Sequence, residues 1–134
     1  MLNAETSIPM KTFWVAGFVF AAGLALVRAD ERPGKGVASW YGEEHRGKLM
    51  ANGKRFNPDK LTAASWFYPL GTKVEVTARS PDRALKTVMV TITDRGPAYE
   101  LVRQGRIIDL SHAAFKKVAP TRNGLVPVKI RPVR

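Results

Sequence analysis

Two runs of strict apolar–polar alternation, KVEVTA (Lys73–Ala78) and KTVMVTIT (Lys86–Thr93), are separated by only seven residues, RSPDRAL. A period of two sends alternate side chains to opposite faces of a strand. A short connection carrying Ser, Pro and Asp turns the chain back on itself. The hairpin commits the chain to a β architecture with one buried face. That face takes Val74 and Val76 from the first strand and Val88, Val90 and Ile92 from the second. Asp94 is next in the second row, where the series predicts another Val or Ile. A carboxylate at the open end of an apolar row is partly desolvated, which favours its protonated form. Arg95 follows it and is expected on the opposite face. The competing role for Asp94 is a hydrogen bond within the Gly96-Pro97 turn.

Three further segments read as strands: VASWY (Val37–Tyr41), GRIIDL (Gly105–Leu110) and LVPVKIRPV (Leu125–Val133). The prolines of the last suit edge or bulge positions. Gly42–Asp59 is loop-like, and LTAASWFYPLGT closes on a Pro-Leu-Gly turn. SHAAFKKVA (Ser111–Ala119) predicts one helix, with Ser111 as N-cap and Ala114, Phe115 and Val118 near one face. Five or six short strands with a single helix predict a small, mainly β barrel.

The N-terminal third has another character. FWVAGFVFAAGLALV (Phe13–Val27) carries no charge, but it is shorter than the roughly 20 residues of a membrane span. It fits the apolar core of a secretory signal flanked by Lys11, with cleavage after Ala29. Glu5 suits such a segment poorly, and Met10 is the better start. An uncleaved anchor is the alternative. Residues 30–35 then form a linker and 36–134 the barrel. There is no cysteine, so neither a disulfide framework nor a lipid-modified cysteine is available. The chain has 22 basic and 11 acidic residues; without Lys11, Arg28 and Glu5 these become 20 and 10. Such a field favours polyanions, and for an exported protein those are cell-wall polymers and membrane surfaces ahead of nucleic acid. A soluble monomer is expected after processing.

Four segments, in order, carry a resemblance: GVASWYG (Gly36–Gly42), ANGKRFNPDKLTAASWFYPLGT (Ala51–Thr72), VTITDRGP (Val90–Pro97) and GRIIDLSHAAF (Gly105–Phe115). Together they resemble the rare-lipoprotein-A-like (RlpA-like) double-psi β-barrel domain. The resemblance implies a six-stranded barrel with a surface groove, distantly similar to expansins. It also implies a lytic transglycosylase that cleaves bonds between N-acetylmuramic acid and N-acetylglucosamine in peptide-poor peptidoglycan strands, leaving 1,6-anhydro ends. By the same resemblance the acid of DRGP, Asp94, is implicated in catalysis. Asp109 is a second candidate, because IIDLS is similar to the FDLS of expansin-type barrels; its competing role is to orient the turn beside Ser111.

The family usually carries Glu in ANGE and His in TAAH, where this chain has Lys54 and Ser65. A lysine cannot serve as a carboxylic acid, and a serine cannot carry protons as histidine does. A non-catalytic glycan-binding barrel is therefore the rival reading. Substrate contacts are expected from Lys54, Ser65, Trp66, Tyr68 and Arg95. Trp40, Tyr41 and Phe67 are further aromatic candidates for stacking on sugar rings. Trp40 and Tyr41 should point to opposite sides of their strand, so at least one belongs to the core. His45 and His112 have no acidic or thiol partner at metal spacing, and neither a metal nor a cofactor is expected.

Overall fold

The computed structural model describes residues 32–133. Phe13–Val27 and the expected cleavage point after Ala29 lie outside the described residues. Among the described residues there are six strands: β1 (Lys35–Tyr41), β2 (Thr62–Ala64), β3 (Lys73–Arg79), β4 (Leu85–Asp94), β5 (Arg106–Ser111) and β6 (Val126–Val133). They close into a barrel in the order β1-β5-β2-β4-β3-β6, with β6 returning to pair with β1. Pairs β1–β5 and β2–β4 are parallel and the other four are antiparallel. This is the six-stranded double-psi architecture that the sequence implied. The first strand starts at Lys35, inside the segment expected to be linker.

The β3–β4 hairpin forms in the register that its alternation requires, with Val74 opposite Val90 and Val76 opposite Val88. All four are buried, as is Ile92. They meet Ile108 and Leu110 of β5 and Val128 and Ile130 of β6 in one core cluster. Each such side chain contributes about 1.5–3 kcal/mol by leaving water. The prolines of β6 are accommodated by staggered pairing. Pro127 lies where β6 pairs only with β1, and Pro132 where it pairs only with β3. Each proline thus needs no donor on its open side. Between β1 and the turn ahead of β5 the backbones approach closely, and a Cβ on Gly36 would stand 2.9 Å from the Gly105 carbonyl oxygen.

The helix after β5 is shorter than its sequence pattern. Helix α2 covers His112–Lys116, and turn bonds from the Val118 and Ala119 N–H groups to Phe115 O continue it. Ala114, Phe115 and Val118 are buried, as their common face predicted. A second helix, α1 (Tyr99–Arg103), was not anticipated. At five residues it is too short to show a 3.6 period, and its N-cap is Ala98, with no side-chain cap.

Ser111 carries more than a cap. Its hydroxyl accepts the Ala114 N–H at 3.2 Å and donates to Lys60 O at 2.6 Å. It thereby fastens the end of the 42–59 loop to the start of α2. Ser111→Ala should cost about 1–2 kcal/mol, from the lost cap and the lost hydrogen bond to Lys60 O. Urea unfolding should show a lower midpoint with an unchanged slope. A midpoint equal to wild type would mean that the loop and helix are held by other contacts.

Candidate functional site

At the end of β4 the ladder changes step. Ala63 pairs with Ile92, but the next residue, Ala64, pairs with Asp94. Thr93 is the extra residue of a β-bulge, a device that re-aims the side chains beyond it. Counting by twos would put Asp94 in the core with Ile92. The bulge brings it instead to the side of Ala64. Ala64 is also the partner of Asp109 on β5, and Asp109 is the partner of Ser39 on β1. Directly paired residues share a face. Ser39, Asp109, Ala64 and Asp94 therefore form one row across four neighbouring strands. The two carboxylates stand two strands apart, about 10 Å between backbones, with only a methyl group between them.

The two acids are held differently. Asp94 Oδ1 accepts the N–H groups of Ala51 and Arg95, each at 2.9 Å, and its carbonyl accepts the Ser65 N–H at 3.0 Å. Asp94 thus ties the 50–54 loop and the end of β2 to the bulge. Its side-chain bond is to the next amide in the chain and not to Gly96. Asp109 is half-buried and accepts the Ser39 hydroxyl at 2.6 Å. Burial pushes its pKa up and outweighs the Ser39 hydrogen bond and the charges of Arg106 and His45, which pull it down; Asp94 adds a push in the direction of burial.

Tyr41 lies two residues beyond Ser39 on β1, hence on the same face. Its ring stacks on Phe56 at 4.3 Å and meets the edge of His45 at 5.6 Å. Burial, and then the negative fields of Asp94 and Asp109, push its phenol pKa far up. Tyr41 is therefore a neutral hydroxyl beside two carboxyls, and that hydroxyl has no partner among the described residues. Trp40 points the other way, packs against the core and donates its indole N–H to Thr121 O at 3.0 Å.

The expected substrate contacts divide. Ser65 is fully buried and its hydroxyl accepts the Phe67 N–H at 3.1 Å, so it cannot reach a sugar. Tyr68 is a core residue, 1 % exposed. Arg95 is committed as well: its Nη1 donates to Ser65 O at 2.8 Å and Tyr68 O at 2.6 Å, clamping that turn. Phe67 is partly buried against the core. Trp66 lies against an exposed aromatic ring. It donates to Pro97 O at 2.6 Å and stacks on Tyr99 at 4.8 Å, and Tyr99 is 64 % exposed. Lys54 is exposed on the 50–54 loop. Sequence reasoning named Tyr41 only as an aromatic candidate and did not single out Ser39 or Tyr99. The alternation of Ser39-Trp40-Tyr41 was the signal that could have found Ser39.

A closed barrel of this strand order is that of the double-psi β-barrel class, and here two carboxylates stand two strands apart on one face. The family model described as lytic transglycolase matches residues 34–130, and the chain belongs to that family, in its RlpA-like form. It is 39 % identical over 100 residues to a probable endolytic peptidoglycan transglycosylase RlpA of Aquifex aeolicus, covering 75 % of this chain and 41 % of that protein. An uncharacterised Synechocystis protein is 42 % identical over 93 residues, covering 69 % of this chain and 91 % of the relative. Among solved structures, the Streptomyces papain inhibitor superposes with a TM-score of 0.54 at 28 % identity, over 75 % of this chain and 94 % of that one.

The role of Asp94 as a tie can be measured. Asp94→Ala removes the acceptor of the Ala51 N–H. Hydrogen bonds to a charged group contribute about 1.5–3 kcal/mol, so amide exchange at Ala51 should accelerate tenfold or more while the β3–β4 ladder is unchanged. Unaltered exchange at Ala51 would show that the loop is held without Asp94.

Proposed function

We propose that this chain is an exported, RlpA-like lytic transglycosylase of peptidoglycan in which Asp109 is the acid. The observation that carries the reading is Asp109 itself: a half-buried carboxyl with a raised pKa, held by Ser39, in a row with Asp94. A general acid works best when its pKa lies near the working pH. Asp109 would protonate the glycosidic oxygen between N-acetylmuramic acid and N-acetylglucosamine. The 6-hydroxyl of the muramic acid then attacks its own anomeric carbon. The proton of that hydroxyl returns to the Asp109 carboxylate, so no water is consumed and a 1,6-anhydro end forms. One carboxyl serves as acid and then base, and neither the family Glu nor the family His is required for the proton balance. Trp66 and Tyr99 supply a stacked aromatic face for sugar rings, a common mode of glycan contact. Asp94 holds the loop that carries Lys54.

The basic balance of the chain and the names of its RlpA relatives support a cell-wall substrate. No helix among the described residues is long and apolar enough to cross a membrane. The rival reading, a barrel that binds glycan without cutting it, is favoured by one observation: the family His position is a buried serine, out of reach of substrate.

Digestion of peptide-stripped glycan strands, read by mass spectrometry, tests the proposal. Wild-type protein should release 1,6-anhydro products, and Asp109→Asn should lower the rate by about 100- to 10,000-fold, the usual contribution of a general acid. Cleavage surviving in Asp109→Asn would remove Asp109 as the acid. Retention on strands without any anhydro product, in the wild type, would leave the binding barrel.

A further inference from the structure

A cavity of about 610 Å³ opens between the 46–57 loop and strands β2 and β4. It adjoins the carboxylate row, because Thr93 lines it and Asp94 is the next residue. Asn52, also in its wall, donates its N–H to Thr93 O at 3.1 Å.

The polar lining of this cavity is rich in donors, joined by the hydroxyls of Thr62, Thr91 and Thr93, which donate or accept. Arg46, Lys54, Arg55 and Lys60 bring four cations to it, and no carboxylate lines it. Asn52 Oδ1 accepts the Lys54 N–H at 3.0 Å, and Asn57 Oδ1 accepts the Asp59 N–H at 2.9 Å. Those bonds fix both amides, so the group each has left is its NH₂. Arg46 is already paired with Glu43 and Asp59, and Arg55 gives Nη1 to Gly47 O at 3.0 Å. Lys54 and Lys60 form no ion pair with a carboxylate among the described residues. Met50 and Phe56, both buried, add apolar surface to the same wall.

Two unneutralised lysines and two amide NH₂ groups beside an apolar patch fit a small carboxylate with a methyl next to it. The lactyl ether of N-acetylmuramic acid has a methyl and a carboxylate on one carbon. That carboxylate is charged only where the strand has lost its stem peptide, since an attached peptide converts it to a neutral amide. We propose that this cavity is a subsite for the free lactyl carboxylate of peptide-stripped strands, with Lys54 and Lys60 as its ion-pairing groups. The proposal rests on the glycan-strand reading above. It also gives Lys54 a use: where the family usually carries an acid, this chain recognises one.

The test measures binding of the full protein to three oligosaccharides of equal length. The first is peptide-free and contains muramic acid, the second is the same sugar with its lactyl carboxylates amidated, and the third is a chito-oligosaccharide. The wild type should bind the first about tenfold more tightly than the second, the scale of one charge-assisted hydrogen bond. In Lys54→Gln/Lys60→Gln the ratio should fall close to one. Equal affinities in the wild type, or a ratio that survives the double substitution, would overturn the subsite. Failure of the wild type to bind all three would instead sink the glycan-strand reading. N-acetylmuramic acid and N-acetylglucosamine, each added to ¹⁵N-labelled protein, then decide the cavity by itself. Shifts at the Asn52, Lys54 and Asn57 amides with the first sugar alone support an anion site, and no difference between the sugars overturns it.

Discussion

At the end of β4 the chain has one residue more than its parallel partner can match, and the candidate site depends on that surplus. Thr93 is left over between the Ala63–Ile92 and Ala64–Asp94 pairs. Without the bulge, a carboxylate at position 94 would continue the row of Val88, Val90 and Ile92 into the core, where an unpaired charge is costly. With it, Asp94 joins Ala64 and Asp109 on one face. The same residue then accepts from Ala51 and its carbonyl accepts from Ser65. Loop, short strand and site are fixed together because one side chain was turned outward.

The two departures from the family pattern have different physical meanings. Ser65 has withdrawn from the surface: it is fully buried, and its hydroxyl is used within its own turn. Nothing at that position can exchange protons with a substrate. Lys54 remains exposed, in a cavity wall with three other cations and no carboxylate among its lining residues. Neither side chain is a carboxyl or an imidazole, and the one that stays exposed is a cation. The carboxylate row of Asp94 and Asp109 is kept, and the burial of Asp109 and its Ser39 partner involve neither position.

The hairpin, five of the six strands and the Ser111 cap were legible because each rests on a local period or a capping residue, whereas β2, three residues long, shows no period of its own. The closed order was legible only through the family resemblance, since pairing across the barrel leaves no local signature. The site was less legible. The row of Val88, Val90 and Ile92 correctly marked Asp94 as out of place, but a bulge depends on the partner strand and not on its own sequence. Arg95 was expected on an opposite face free to meet substrate, whereas its guanidinium clamps the Ser65–Tyr68 turn. Tyr68 followed Trp66 in an aromatic cluster, yet only Trp66 found an exposed partner, Tyr99, on a helix too short to be read in advance.

The central claim of the proposed mechanism is that burial raises the Asp109 pKa and suits it to act as the acid. A ¹³C titration of the aspartate side-chain carboxyl carbons by NMR, with Asp109 assigned through Asp109→Asn, measures this directly. The account predicts an Asp109 midpoint clearly above the ordinary aspartate value of 3.8, because desolvation disfavours the charged form. A midpoint at or below 3.8 would mean that Ser39, Arg106 and His45 overcome burial, and Asp109 could not then be the acid.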